Sequence, residues 1–360
     1  MYLDPMTIAR ARLAMRAAIR DHLFDPNVGM IDFGHPEHNG KILWDELAIR
    51  IHVKKKLNEA ELETASMLGI TSPIPRCIDG FPTDVPQGIY RASSWGVPRP
   101  PRSPDLHQAF NNPLCGGISI SDEFHNAAGT LGGRVIDRAT GAGMILSNWH
   151  VLVAEWAARP GQRIYQPGRL DGGTSANVIA TLTRDAMSVN LDAAVATLTG
   201  SRPLTSNQLD LGNVTGVGQA MLGMELVKSG RTSGVTRGVV TAVQGTARIN
   251  YRGISRIIRQ VVTIEPRSDL EQVSAPGDSS SWWLDPETMQ AIAMHFAGSN
   301  FPERALGLDM QSVLDALKVD IDIGRPSAAT RFARPQATTR LGAPAAAQRL
   351  SRAAEELVLR

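Results

Sequence analysis

Three residues in this chain are of the types that can cleave an acyl bond together: a histidine, an aspartate and a serine. His150 ends the apolar run Gly143-Met144-Ile145-Leu146-Ser147-Asn148-Trp149 and is followed by Val151-Leu152. Asp192 opens the apolar run Leu191-Asp192-Ala193-Ala194-Val195-Ala196. Ser279 lies in the small-residue turn Ala275-Pro276-Gly277-Asp278-Ser279-Ser280-Ser281-Trp282. Hydrolysis at neutral pH needs a hydroxyl to attack, an imidazole to take its proton and a carboxylate to orient the imidazole. Backbone N–H groups must also stabilise the oxyanion. Each of the three also has an ordinary reading, as a histidine at a strand end, an aspartate at a turn and a serine in a loop. Their order is what joins them. Asp192 follows His150 by 42 residues and Ser279 follows Asp192 by 87, a spacing that lets the two halves of the region supply one barrel each.

Other polar clusters point elsewhere. His35, Glu37 and His38 in Gly34-His35-Pro36-Glu37-His38 carry metal-ligand chemistry, but Pro36 and Asn39-Gly40 make the stretch a turn, and no further clustered ligand follows. We expect no metal and no cofactor. Cys115 has no acid-base partner nearby in sequence and reads as a packing residue. Lys54-Lys55-Lys56 is short and reads as a solvated strand end, not a nucleic-acid patch.

The elements that must position these residues follow from periodicity. Cys115 to about Ile323 carries short apolar strands separated by glycines: Thr130–Ile136, Met144–Ser147, Val178–Thr183, Ala193–Leu198, Gly238–Val243, Gln260–Ile264 and Ala291–Phe296. That texture predicts an all-β barrel or sandwich, closed by an amphipathic helix over Asp309–Val319. Residues 1–90 read as a small α+β domain, with helices over Thr7–Leu23 and Leu57–Leu68 and strands over Val28–Phe33 and Glu46–Val53. Residues 91–114 read as a Pro/Ser-rich linker. Residues 324–360, rich in Ala, Arg and Pro, read as a mobile tail with room for a short helix over Ala345–Leu357.

Composition sets the class. The chain has 360 residues, 42% apolar and 20% charged, enough for a sizeable core. Its formal net charge is +2, so no global field argues for nucleic acid or a membrane. The 33 glycines suit many short strands and turns. Cys77 and Cys115 are the two cysteines, read as reduced, packed thiols. The N-terminal stretch lacks a secretory apolar core. A cytoplasmic protein is the expectation.

From Leu146 to Ser299 the sequence resembles the trypsin/chymotrypsin-like serine peptidases, especially a bacterial group close to the plant narrow-leaf type of trypsin-like proteins. Five boxes carry the resemblance, in order: Leu146-Ser147-Asn148-Trp149-His150-Val151-Leu152; Leu191-Asp192-Ala193-Ala194-Val195-Ala196; Val227-Lys228-Ser229-Gly230-Arg231-Thr232-Ser233-Gly234; Pro276-Gly277-Asp278-Ser279-Ser280-Ser281; and Ala293-Met294-His295-Phe296-Ala297-Gly298-Ser299. Ile31-Asp32, His52-Val53-Lys54 and Asp79-Gly80-Phe81-Pro82 are similar to a domain that precedes such peptidases. The chain order His, Asp, Ser agrees with the chymotrypsin-like enzymes.

The resemblance implies a mainly β fold, a chymotrypsin-like double β-barrel preceded by the small α+β domain. It implies an endopeptidase acting on a protein or peptide substrate, with His150, Asp192 and Ser279 catalytic and the backbone N–H groups of Gly277 and Ser279 as oxyanion hole. His295, Phe296, Ala297 and Gly298 take the place of the strand that lines the primary pocket and pairs with substrate. Some glutamate-specific bacterial members carry a histidine there that meets the substrate's acid, so His295 is a candidate for that role or a plain core residue. Asp278 turns inward beneath the hole and needs a counter-charge, for which Lys228 stands in place. Two positions depart from the pattern. Ser280 stands where the family usually has glycine, harmless at negative φ and costly at positive φ. Trp149 replaces a smaller residue before the histidine. Two other readings of the same residues are a catalytically silent module that grips a partner peptide and a self-processing regulator that cuts its own linker. The N-terminal domain is a possible place for a regulatory partner.

Overall fold

Asp4 starts the first helix by accepting hydrogen bonds from the N–H groups of Met6 and Thr7, which lack partners inside the helix. Helix α1 (Pro5–His22) buries Ala11, Ala14, Met15 and Ala18, the spacing of one helical face. Strands β1 (Val28–Gly34) and β2 (Ala48–Val53) pair antiparallel beneath it. Helix α2 (Glu59–Met67) starts with a capping box between Asn58 and Glu61. None of its residues is buried, so the amphipathic face expected there covers no core. Strand β3 (Phe81–Asp84) then runs parallel to β2.

These observations come from a computed structural model, which describes residues 4–92, 105–154, 158–268 and 271–323. Half of the expected linker, 93–104, and the whole expected tail, 324–360, lie outside the described residues.

The first half of the barrel region is β4 (Ser119–Asp122), β5 (Gly129–Thr130), β6 (Gly133–Asp137), β7 (Gly143–Ser147), helix α3 (Trp149–Leu152), β8 (Arg163–Tyr165), β9 (Val178–Asp185) and β10 (Ala194–Leu198). Hydrogen bonding runs β5-β4-β8-β9-β10-β7-β6. Since β5 and β6 are consecutive pieces of one run, the sheet closes on itself as a barrel. The second half is β11 (Glu225–Gly230), β12 (Gly234–Tyr251), β13 (Ile254–Glu265), β14 (Trp282–Leu284), β15 (Gln290–Asn300) and β16 (Glu303–Asp309). Its path β11-β14-β15-β16-β13-β12 is closed by pairing of β11 with β12. Every pairing in both circuits is antiparallel. Closure removes the sheet edges that short apolar strands would otherwise expose. The chain is therefore mainly β, with the double barrel expected from its sequence. Helix α4 (Met310–Leu317) covers one end, burying Met310, Val313, Leu314 and Leu317.

The N-terminal strands are hydrogen-bonded into the second barrel's sheet. Strand β1 pairs antiparallel with β12, Met30 opposite Ala247 and Phe33 opposite Val243. A buried polar network fixes the joint. Arg50 donates to both oxygens of Asp32 at 2.7 and 2.8 Å, and to Glu265 of β13 at 3.2 Å. Thr263 also donates to Asp32, at 2.7 Å. Burial alone would raise the Asp32 carboxyl, but the Arg50 charge outweighs it and holds Asp32 well below the usual carboxylate range. His35 and Glu37, weighed above as metal ligands, are used here as structure: His35 Nδ1 bonds the Glu46 carbonyl at 2.9 Å and Glu37 accepts from Arg304 at 2.6 Å. Both thiols are free, but only Cys115 is packed; Cys77 is exposed, in contrast to the expectation for it. Burial pushes the Cys115 thiol up to about 11.

Candidate active site

The apolar strand β7 delivers His150 on the first turn of α3, and the loop before β10 delivers Asp192. Both belong to the first barrel. Ser279 comes from the turn before β14, in the second. The three side chains meet. His150 Nδ1 lies 2.5 Å from Asp192 Oδ2, and His150 Nε2 lies 2.7 Å from Ser279 Oγ. With its proton on Nδ1, the imidazole donates to the carboxylate and accepts from the serine hydroxyl. Asp192 is wholly buried and is fixed from three further sides. Its Oδ1 accepts from the His150 N–H at 3.1 Å, Asn148 Nδ2 donates to its carbonyl at 2.7 Å, and the Tyr251 hydroxyl donates to Oδ2 at 2.7 Å.

The turn that carries Ser279 is shaped for an anion. Gly277 has φ +102, and a side chain there would press within 2.3 Å of Thr232 Oγ1, so the position demands glycine. The N–H groups of Asp278, Ser280 and Ser281 are bonded to Ala275, His295 and Asp278 carbonyls. Those of Gly277 and Ser279 have no hydrogen-bond acceptor among the described residues. Both can therefore donate to an acceptor brought beside Ser279. Thr130 ties the turn to the first barrel, its N–H donating to the Ser279 carbonyl and its hydroxyl to the Gly277 carbonyl, both at 2.9 Å.

Beneath the turn, Asp278 is buried and points at Lys228 Nζ, 3.0 Å from its Oδ2. The carboxylate also accepts from the N–H groups of Ala275, Thr232 and Ser233 and from the Ser233 hydroxyl. Burial penalises its charge, but Lys228 and these donors hold Asp278 below the usual carboxylate range. Burial moves Lys228 downward in turn, against the pull of Asp278.

No family model matches this sequence, and no curated protein does. Solved bacterial serine proteases are similar in structure. Protease A of Thermobifida fusca shares 18% identity, covering 59% of this chain and 100% of its own, at a TM-score of 0.45. Cellulomonas bogoriensis chymotrypsin shares 17%, covering 59% and 99%, at 0.43. A glutamic acid specific serine protease described as using a histidine triad in substrate binding shares 20%, covering 58% and 100%, at 0.44.

The strand opposite Ser279 is β15. His295 bonds Ser280 and Ser281 through its backbone at 2.7 and 2.9 Å. Its ring is wholly buried, edge-on to Trp283 with centroids 6.4 Å apart. Burial, with Lys228 nearby, pushes it down to about 3. Burial thus favours the neutral imidazole at His295, which sits in the core against Trp283. Phe296 and Ala297 are buried as well, while Gly298 borders a cleft of about 440 Å³ together with Ser274 and Pro276.

Two findings lie outside the sequence reading. Tyr251 is 59 residues from Asp192, at the tip of the long β12–β13 hairpin, where no spacing marks it. Trp149 packs edge-on against it, centroids 5.9 Å apart, which gives the unusual tryptophan a role in seating the tyrosine. Ser280 has φ +80, the costly case. A non-glycine residue there is strained by roughly 1–2 kcal/mol. Ser280→Gly should raise unfolding free energy by about 1 kcal/mol, the relief being partly offset by a freer unfolded chain. Urea unfolding of the two proteins checks this, and an unchanged or lower midpoint would refute it.

Proposed function

We propose that this chain is a serine endopeptidase hydrolysing protein or peptide substrates. Ser279 Oγ attacks the scissile carbonyl while His150 Nε2 takes its proton. Asp192 holds the imidazole and offsets its positive charge. The carbonyl oxygen, now negative, is met by the N–H groups of Gly277 and Ser279. His150 returns the proton to the leaving amine, and the acyl group on Ser279 is then released by water, activated by the same imidazole. The observation that carries the reading is the unbroken hydrogen-bond chain from Ser279 through His150 to Asp192 beside two unused N–H donors. The five sequence boxes support placing it in the bacterial group close to the plant narrow-leaf type.

Treating the full chain with a fluorophosphonate tests this. The expected result is one covalent adduct, on Ser279, found by peptide mapping, with casein hydrolysis lost in step with labelling. Folded protein that takes up no probe would favour a silent binding module instead.

A further inference from the structure

The first barrel's cavity beside the imidazole, about 470 Å³, is lined by His150, Trp149 and Tyr251, and also by Arg91 and Ala92. The cleft on the other side of the nucleophile turn, at Ser274 and Pro276, is lined by the same Arg91 and Ala92. The N-terminal segment thus crosses the site between the two. It does so as a strand. Arg91 pairs antiparallel with Gly298 and Ala92 with Ala297. Strand β14 covers the same side of β15 only as far as Met294. Past that point the β15 edge stands open beside Ser279, and the chain's own backbone fills it.

An extended peptide whose carbonyl rests on Ser279 Oγ needs an edge on which to pair, and strand addition is the general way to supply one. The filling strand is firmly anchored. Tyr90 is buried, and its hydroxyl lies 2.6 Å from His52 Nδ1. Gly88 N–H bonds the Val53 carbonyl at 2.9 Å, and Arg304 holds the Gln87 carbonyl at 2.9 Å.

We infer that Arg91 and Ala92 occupy in cis the place of a substrate's acyl-side residues, and so restrict what the enzyme selects. This rests on the proposed peptidase reading. The uncut enzyme then recognises the residue at the bond and the leaving-group side, and gains nothing from residues further upstream.

The test uses the full chain and blocked thiobenzyl esters with one, two and four residues ahead of the same ester, the residue at the ester being one that a positional library shows the site accepts. Wild type should vary in kcat/KM by less than about threefold across the series. The double variant Arg91→Pro/Ala92→Pro lacks both N–H donors and should gain about tenfold or more from the longest ester, through KM, because remote binding energy becomes available. A synthetic peptide of residues 86–92 should inhibit the variant and not the wild type. A tenfold gain with length in wild type overturns the inference, as does a variant that reacts with fluorophosphonate at the wild-type rate yet gains nothing. Should the variant fail to fold, the wild-type length series decides alone. Wild type that takes no fluorophosphonate refutes the peptidase reading itself, separately from this one.

Discussion

Ser279→Ala should lower the hydrolysis of a peptide substrate by about 10⁴–10⁶ while leaving the fold intact, and His150→Ala should do the same. The two should not be additive. Ser279 Oγ and His150 Nε2, 2.7 Å apart, share one proton, so removing either removes the attack. What remains comes from the N–H groups of Gly277 and Ser279 and from substrate binding, which the alanines do not touch. Steady-state kinetics on the single and double variants, with circular dichroism as the control for folding, gives the answer. Substantial turnover by folded Ser279→Ala protein would show that another nucleophile is at work. A double variant far slower than either single variant would show that the two residues act apart.

Replacing Lys228 with methionine should reach nearly as deep without touching the triad. Lys228 and Asp278 are both inaccessible to water. Removing the cation leaves a buried carboxylate with neutral donors alone, a loss of about 3–5 kcal/mol. Asp278 lies between Gly277 and Ser279, the two residues of the proposed oxyanion hole, so a turn that rearranges to relieve its charge moves their N–H groups. Lys228→Met should therefore unfold at lower urea and lose fluorophosphonate labelling even where it remains folded. The sign with pH follows from the depressed Asp278 carboxyl. Its contribution is complete at neutral pH and lost only as pH falls through the lowered value, so wild type keeps this share in mildly acidic buffer. The pair forms within one uncut chain, so hydrolysis of short substrates needs no trimming of the N-terminus. Labelling of Lys228→Met at the wild-type rate would refute this account. So would an intact protein that is inert until cut between residues 91 and 114.

Sequence made the two barrels legible because most of their strands carry a short apolar run bounded by glycine or turn residues, as in Met144–Ser147 and Val178–Thr183. It marked His150, Asp192 and Ser279 because their order and surroundings are local. It stopped short where structure depends on distant partners. Gly238–Val243 was all that periodicity marked of a strand that runs from Gly234 to Tyr251. Beyond it Thr246, Arg248 and Asn250 alternate with the buried Ala247, Ile249 and Tyr251, a half-buried strand pattern without a continuous apolar run, and this stretch pairs with β1 and β13. The N-terminal residues read as a separate unit for the same reason, since their hydrogen-bond partners lie some two hundred residues away. His295 shows a different limit. Its type and place were readable, but whether it carries charge depends on burial against Trp283, which no spacing encodes.

The strand from Gly234 to Tyr251 works as a beam with three loads. Its start helps close the second barrel, its middle carries β1, and its last residue, Tyr251, donates to Asp192. A carboxylate anchored in one barrel is thereby steadied by a hydroxyl from the other, and the strand that carries that hydroxyl is paired along its flank with β1. A chain cut down to Cys115–Ile323 would keep all three triad side chains and both barrel circuits. It would also bare one flank of the beam along Met30–Gly34's former place, letting its tip sway where the imidazole must be aimed. The shortest piece of this protein that holds the site true is therefore longer than the piece that contains it.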